Sequence, residues 1–131
     1  MKKEDMEMIT KILDSERVGY AYLYPNDGGA RRDFMISTTP ENIANYIGSH
    51  MTDAQKIVIT DMCDRLILDT CGYFLDNCPN QKLCREIHPF LIPIQMGEKE
   101  AGEVLGVDRG VADKYFAAED EAVTMAELSM M

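Results

Sequence analysis

The sequence predicts an α+β fold: a small antiparallel sheet of about four to five strands in two hairpins, packed by short helices and followed by an acidic C-terminal helix. Three observations predict it. Two pairs of β-branched and aromatic runs each flank a cluster of turn-forming residues. Apolar residues recur at helical steps near both ends of the chain. The length of 131 residues, with 46% hydrophobic and 27% charged content, suits one buried core rather than disorder.

Residues 3–15 read as the first helix, because Met6, Ile9, Ile12 and Leu13 recur at helical spacing and acids crowd the first turn. Residues 17–24 (RVGYAYLY) and 31–38 (RRDFMIST) make the first hairpin. Between them Pro25, Asn26, Asp27, Gly28 and Gly29 supply turn chemistry, since Asn and Gly tolerate positive φ. Thr39, Pro40 and Glu41 then offer an N-cap hydroxyl, a proline for the first helical position and a first-turn acid. Ile43, Ile47 and Met51 mark one face of this helix; Gly48 weakens its end, where His50 is expected to be exposed and uninvolved.

Residues 56–60 (KIVIT) and 65–70 (RLILDT) form the second hairpin around Asp61, Met62, Cys63 and Asp64, with a single helix over 53–70 as the competing reading. Gly72 breaks the run before Tyr73, Phe74 and Leu75. A helix over 80–87 follows Pro79. Pro89 disfavours the α conformation at His88, which ends the helix and leaves 90–94 extended at a sheet edge.

Composition changes at Gly97. Residues 97–131 carry nine acids and three bases, a net −6 of the chain's −10. Gly97, Gly102, Gly106 and Gly110 punctuate the start, and Val111, Tyr115, Ala118, Ala122 and Met125 form an apolar helical stripe. The domain reading is therefore a compact α+β domain over 1–96 and a glycine-hinged acidic helical segment over 97–131, docked on the same domain or on a partner.

The balance of 23 acids against 13 bases disfavours nucleic acid and anionic membranes and attracts partners with a basic surface. No apolar run approaches the roughly 20 residues of a membrane span. Acids interrupt the N-terminus before a signal-peptide core can form, so the expected location is cytoplasmic and the four cysteines are expected as thiols or ligands.

Four groups of residues are candidates for function. Tyr20, Tyr22 and Tyr24 alternate along one strand and share a face, with Arg31 and Arg32 at the start of its partner; rings beside guanidinium groups suit a small anionic ligand such as a nucleotide. Glycines in the adjacent turn lack the phosphate-loop pattern and precede a strand, so they read as an ordinary connection. Glu98, Glu100, Glu103, Asp108 and Asp113 offer carboxylates to a cationic groove, without the order of a calcium loop. Cys71, Cys78, Cys84 and His88 are weak metal candidates. Cys84 and His88 stand four apart on a helix, but no CxxC knuckle supports zinc, and Cys63, Cys71 and Cys78 read rather as buried small hydrophobes.

No nucleophile, base and oxyanion loop stand together, so catalysis is not expected and no cofactor is implied. Ten methionines, including Met125, Met130 and Met131, add adaptable apolar surface. The leading expectation is a non-catalytic protein-binding domain. In size and charge the chain resembles acidic, nucleic-acid-mimicking inhibitors such as anti-CRISPR and anti-restriction proteins, a likeness of composition alone. A nucleotide binder and a zinc-stabilised domain are the alternatives, and homo-oligomerisation stays open.

Overall fold

The computed structural model describes residues 2–71 and 74–129. Gly72, Tyr73, Met130 and Met131 lie outside the described residues, as do the side chains of Ala122 and Met125. The chain runs α1 (Lys3–Asp14), β1 (Val18–Pro25), β2 (Arg32–Ser37), α2 (Pro40–Ser49), β3 (Ala54–Asp61), β4 (Leu66–Cys71), β5 (Phe74–Asn77), α3 (Gln81–Gln95), β6 (Gly106–Asp108) and α4 (Arg109–Ser129). The strands form one sheet in the order β5-β4-β3-β1-β2-β6, with every neighbouring pair antiparallel.

The α+β class and both predicted hairpins are present. β3 and β4 pair through Val58 with Asp69 and Ile59 with Leu68, which settles residues 53–70 as a hairpin rather than a helix. The sheet has six strands where about four to five were expected. The difference lies at the edges: β6 is three residues long, too short to leave a period-two signal in sequence.

Alternation along β1 divides the core. Ala21 and Leu23 face α2 and α3, and with Ile57, Ile59 and Leu68 they bury Ile43, Ala44 and Ile47 of α2 and Ile87 and Leu91 of α3. On the opposite face Met35 and Val107 receive Ile9 and Ile12 of α1 and Ala112 of α4. The second layer covers the β2–β6 end of the sheet, which leaves the outer β1 tyrosines half-buried. Gly19 is required in β1, because a Cβ there would collide with the Thr60 carbonyl oxygen and press to 2.8 Å from Thr38 Cγ2.

Sequence reasoning misread α3. The helix does not stop before Pro89 but continues through Pro89 and Pro93 to Gln95, so residues 90–94 are helical and not an extended edge. Its buried positions, Ile87, Leu91 and Ile94, fall at steps of four and three along one face. Burying each contributes about 1.5–3 kcal/mol, together of the same size as a proline penalty of about 3 kcal/mol per site. Gly48 has a packing role here: a Cβ would lie 2.7 Å from Ile94 Cγ2, so its absence lets α2 close on α3.

Candidate functional site

Two surfaces bring the predicted residues together. The first is a tyrosine–arginine cleft. Tyr20 pairs with Met35 and Thr60, and Tyr22 with Asp33 and Val58, which places both rings on the α1–α4 side of the sheet. Because β6 pairs with β2 and α4 starts immediately after it, Arg109 is delivered back over these rings. Its Cζ lies 4.1 Å from the Tyr20 ring centre, and its Nη1 donates to the Tyr22 hydroxyl at 3.0 Å. That hydroxyl in turn donates to Asp64 Oδ1 at 3.1 Å.

Arg31 stacks over the other side of the cluster, 4.7 Å from the Tyr22 ring centre. Its Nε and Nη2 donate to the two Asp33 carboxylate oxygens at 2.7 and 2.9 Å. Hydrogen bonds that the Arg31 guanidinium makes to Asp33 first and then to Tyr24 hold it above its ordinary pKa. Arg32 reaches Asp53 at 3.7 Å, and Asp108 Oδ1 accepts from Gly110 N at 2.8 Å at the start of α4. Together Arg31, Arg32, Asp33, Asp108, Arg109 and Asp113 line an open cleft of about 560 Å³. Three cations face three carboxylates there, and each guanidinium already has a partner. Tyr24 lies beside this cluster with Lys56 Nζ 6.0 Å from its ring centre. Arg109 escaped sequence reasoning because 87 residues separate it from Tyr22.

The second surface is the loop of residues 97–105, between α3 and β6. It is tied down at three points. At the end of α3, Gly97 takes φ +74°, its N–H donates to Ile94 O and the Glu98 N–H donates to Pro93 O, a Schellman closure. Gly102 N then donates to Asn45 Oδ1 at 3.0 Å. Leu105 N donates to Asn42 Oδ1 at 2.8 Å, while Asn42 Nδ2 donates to Ser37 O at 2.6 Å and to Leu105 O at 3.1 Å. Asn42 and Asn45 are buried polar residues of α2, three apart on one side of the helix. They are loop-holding positions that the sequence reading did not single out; two asparagines flanking Ile43 and Ala44 in an otherwise apolar helix were the available signal.

This strapping leaves Glu98, Glu100 and Glu103 exposed. Among the described residues none of the three takes part in an ion pair. Asp108 and Asp113 do not join them but line the tyrosine–arginine cleft. The predicted carboxylate set is thus split between two places.

The cysteines depart from their expected burial: Cys63 and Cys71 are exposed, and Cys78 and Cys84 are intermediate. Cys84 Sγ lies 3.9 Å from His88 Nε2, as the four-residue spacing on α3 requires. Cys78 is drawn toward this pair by Asn80 O, which accepts from Cys78 Sγ at 3.4 Å and from Cys84 N at 3.1 Å, whereas exposed Cys71 ends β4. Among the described residues no group of three or more His, Cys, Asp and Glu is arranged to hold a metal. His50 also departs from expectation. Its side chain is mostly buried, its ring centre lies 4.8 Å from that of Tyr46, and its Nδ1 stands 3.0 Å from Asp53 Oδ1. Position at the α2 C-cap, within reach of the next turn's carboxylate, explains the pairing.

Among the described residues no helix is long and apolar enough to cross a membrane. Comparison with protein-family models, with curated proteins and with solved structures finds no match, so the functional reading rests on this geometry.

Proposed function

We propose that this chain is a non-catalytic binding domain that docks a protein partner through a basic patch on that partner, in the manner of an acidic inhibitor. The carrying observation is an asymmetry of pairing. The arginines of the cleft are committed to Asp33, Asp53 and the tyrosines, whereas Glu98, Glu100 and Glu103 are held out on a strapped loop without counter-ions. Three carboxylates fixed to a rigid frame need little ordering on association, which favours selective recognition of lysine and arginine groups. The test is association with an arginine- and lysine-rich peptide across a salt series. Affinity is expected to fall as salt rises and to fall again in the E98Q/E100Q/E103Q variant; unchanged affinity in both comparisons removes the reading.

A second reading, a small anionic ligand at the cleft, is favoured by the stacking of Arg31 and Arg109 on Tyr22 and Tyr20. An anion would have to displace Asp33 from Arg31, so binding would cost an existing bidentate pair. A thermal-shift series with nucleotides distinguishes the two: stabilisation reversed by R31A supports the cleft, and no shift removes it.

A further inference from the structure

Neither the acidic loop nor the cleft uses the thiols at the start of α3. Cys78 follows directly on β5, and Cys84 lies in the first turns of α3. One carbonyl oxygen draws them together: Asn80 O accepts from Cys84 N at 3.1 Å and from Cys78 Sγ at 3.4 Å. Asn80 also caps the helix, its side chain accepting from Leu83 N at 3.1 Å, so the short connection is fixed at both ends. Through this shared acceptor Cys78 Sγ is held beside the first turn of α3, and Cys84 is, after burial, among the groups that raise the Cys78 thiol. His88 Nε2 stands 3.9 Å from Cys84 Sγ on the side chain's own helix face. Both cysteines are partly open to solvent.

From this arrangement we infer that Cys78 and Cys84 form a reversible intramolecular dithiol–disulfide site for peroxide, with His88 as the base for Cys84. Cys84 gives its proton to His88, and its sulfur attacks one peroxide oxygen. The O–O bond breaks, Cys84 becomes a sulfenic acid, and the departing hydroxide takes the proton from His88 and leaves as water. Cys78 sulfur then attacks Cys84 sulfur. The S–O bond breaks, hydroxide leaves with the Cys78 proton as a second water, and the disulfide closes. Two thiols lose two electrons, and one peroxide is reduced to two waters. A dithiol such as dithiothreitol reverses the oxidation by exchange.

Roles divide between the thiols in a way the surroundings support. Burial and the neighbouring Cys84 push the Cys78 thiol up to about 11, which suits a resolving thiol that stays protonated until the sulfenic acid forms. Closing the bridge would tie the end of β5 covalently to α3, whose Ile87 and Leu91 belong to the core cluster on which Cys78 packs. The site needs no partner and is independent of what docks on the acidic loop.

The test treats the full chain with equimolar hydrogen peroxide and maps the product by mass spectrometry after trypsin. Cleavage after Lys82 separates the two cysteines, so the expected product is residues 66–82 joined to residues 83–85 and lighter by two hydrogens. C71S should keep this link, C78S should stop at a Cys84 sulfenic acid trapped by dimedone, and H88Q should oxidise at least ~10-fold more slowly. Far-ultraviolet circular dichroism checks that each variant is folded, and C78A serves if C78S is not. Links between chains, links through Cys63 or Cys71, or oxidation of H88Q at the unsubstituted rate would overturn the assignment.

Discussion

The tyrosine–arginine cleft and the loop of residues 97–105 handle charge in opposite ways. In the cleft the side chains satisfy one another: Arg31 holds Asp33 through two bonds, and Arg109 is stacked on Tyr20 and bonded to Tyr22. In the loop the backbone is satisfied instead, by Asn42, Asn45 and the α3 terminus, and the carboxylates are left without partners. Residue type alone therefore does not say which charge is open to a partner. In the cleft Arg31 and Asp33 pair directly, Arg32 reaches Asp53 and Arg109 is bonded to Tyr22, while the three glutamates on the pinned backbone are in no ion pair among the described residues.

The largest effect should come from cutting the strap. N42L leaves Leu105 N without its acceptor and removes the Asn42 Nδ2 bonds to Ser37 O and Leu105 O, although Leu105 O keeps the Ser37 N–H, and a loss of about 3 kcal/mol is expected in urea unfolding. N45L removes one bond to Gly102 and should cost about 1 kcal/mol. If N42L costs no more than an ordinary surface change, the loop is not pinned by α2 and the contrast fails.

On the cleft side, R109A removes a stacked guanidinium and its bond to Tyr22, with an expected loss of about 1.5 kcal/mol by the same measurement. R109K should recover only part of this, since an ammonium keeps the charge but not the planar stack. Full recovery would mean that charge alone, not stacking, organises the cleft.

Acid unfolding separates paired from unpaired carboxylates. Asp61 accepts from Arg65 N and Cys63 N and pairs with Arg65 Nε, and these contacts, the Arg65 backbone bond foremost, hold its pKa below the ordinary value. Its contribution is therefore present above the ordinary carboxylate range and is lost as pH falls through the depressed folded value. D61N should flatten the stability–pH curve in that acidic window. E98Q/E100Q/E103Q should leave stability at neutral pH within about 0.5 kcal/mol of the unsubstituted chain, the smallest effect of the series. A larger loss would show that the glutamates support the fold and are not free for a partner.

Much of the fold was legible because its central elements are periodic. The tyrosine alternation in β1 placed one sheet face, and the β-branched run at Ile57, Val58 and Ile59 identified β3. α3 was misread because local proline rules were weighed without the three apolar residues whose burial overrides them. The cleft was half legible: Tyr20, Tyr22, Arg31 and Arg32 were visible as neighbours in a hairpin, whereas Arg109 arrives only through β6, which carries no signal of its own. Reading the acids by composition placed Asp108 and Asp113 with Glu98, Glu100 and Glu103, although three-dimensional pairing divides them. Asn42 and Asn45 were not singled out, because a hydrogen bond to a loop about 60 residues away shows locally only as two polar residues in an apolar helix.

The most direct test compares E98Q/E100Q/E103Q with E4Q/E7Q/D14N, a variant that removes the same amount of charge from exposed positions of α1. Binding of a lysine- and arginine-rich peptide at low salt is measured for both by fluorescence anisotropy. A loss of about tenfold is expected for the loop variant and at most a small loss for the α1 variant. Equal losses would mean that net charge alone attracts the peptide, and would contradict a docking role for the strapped loop.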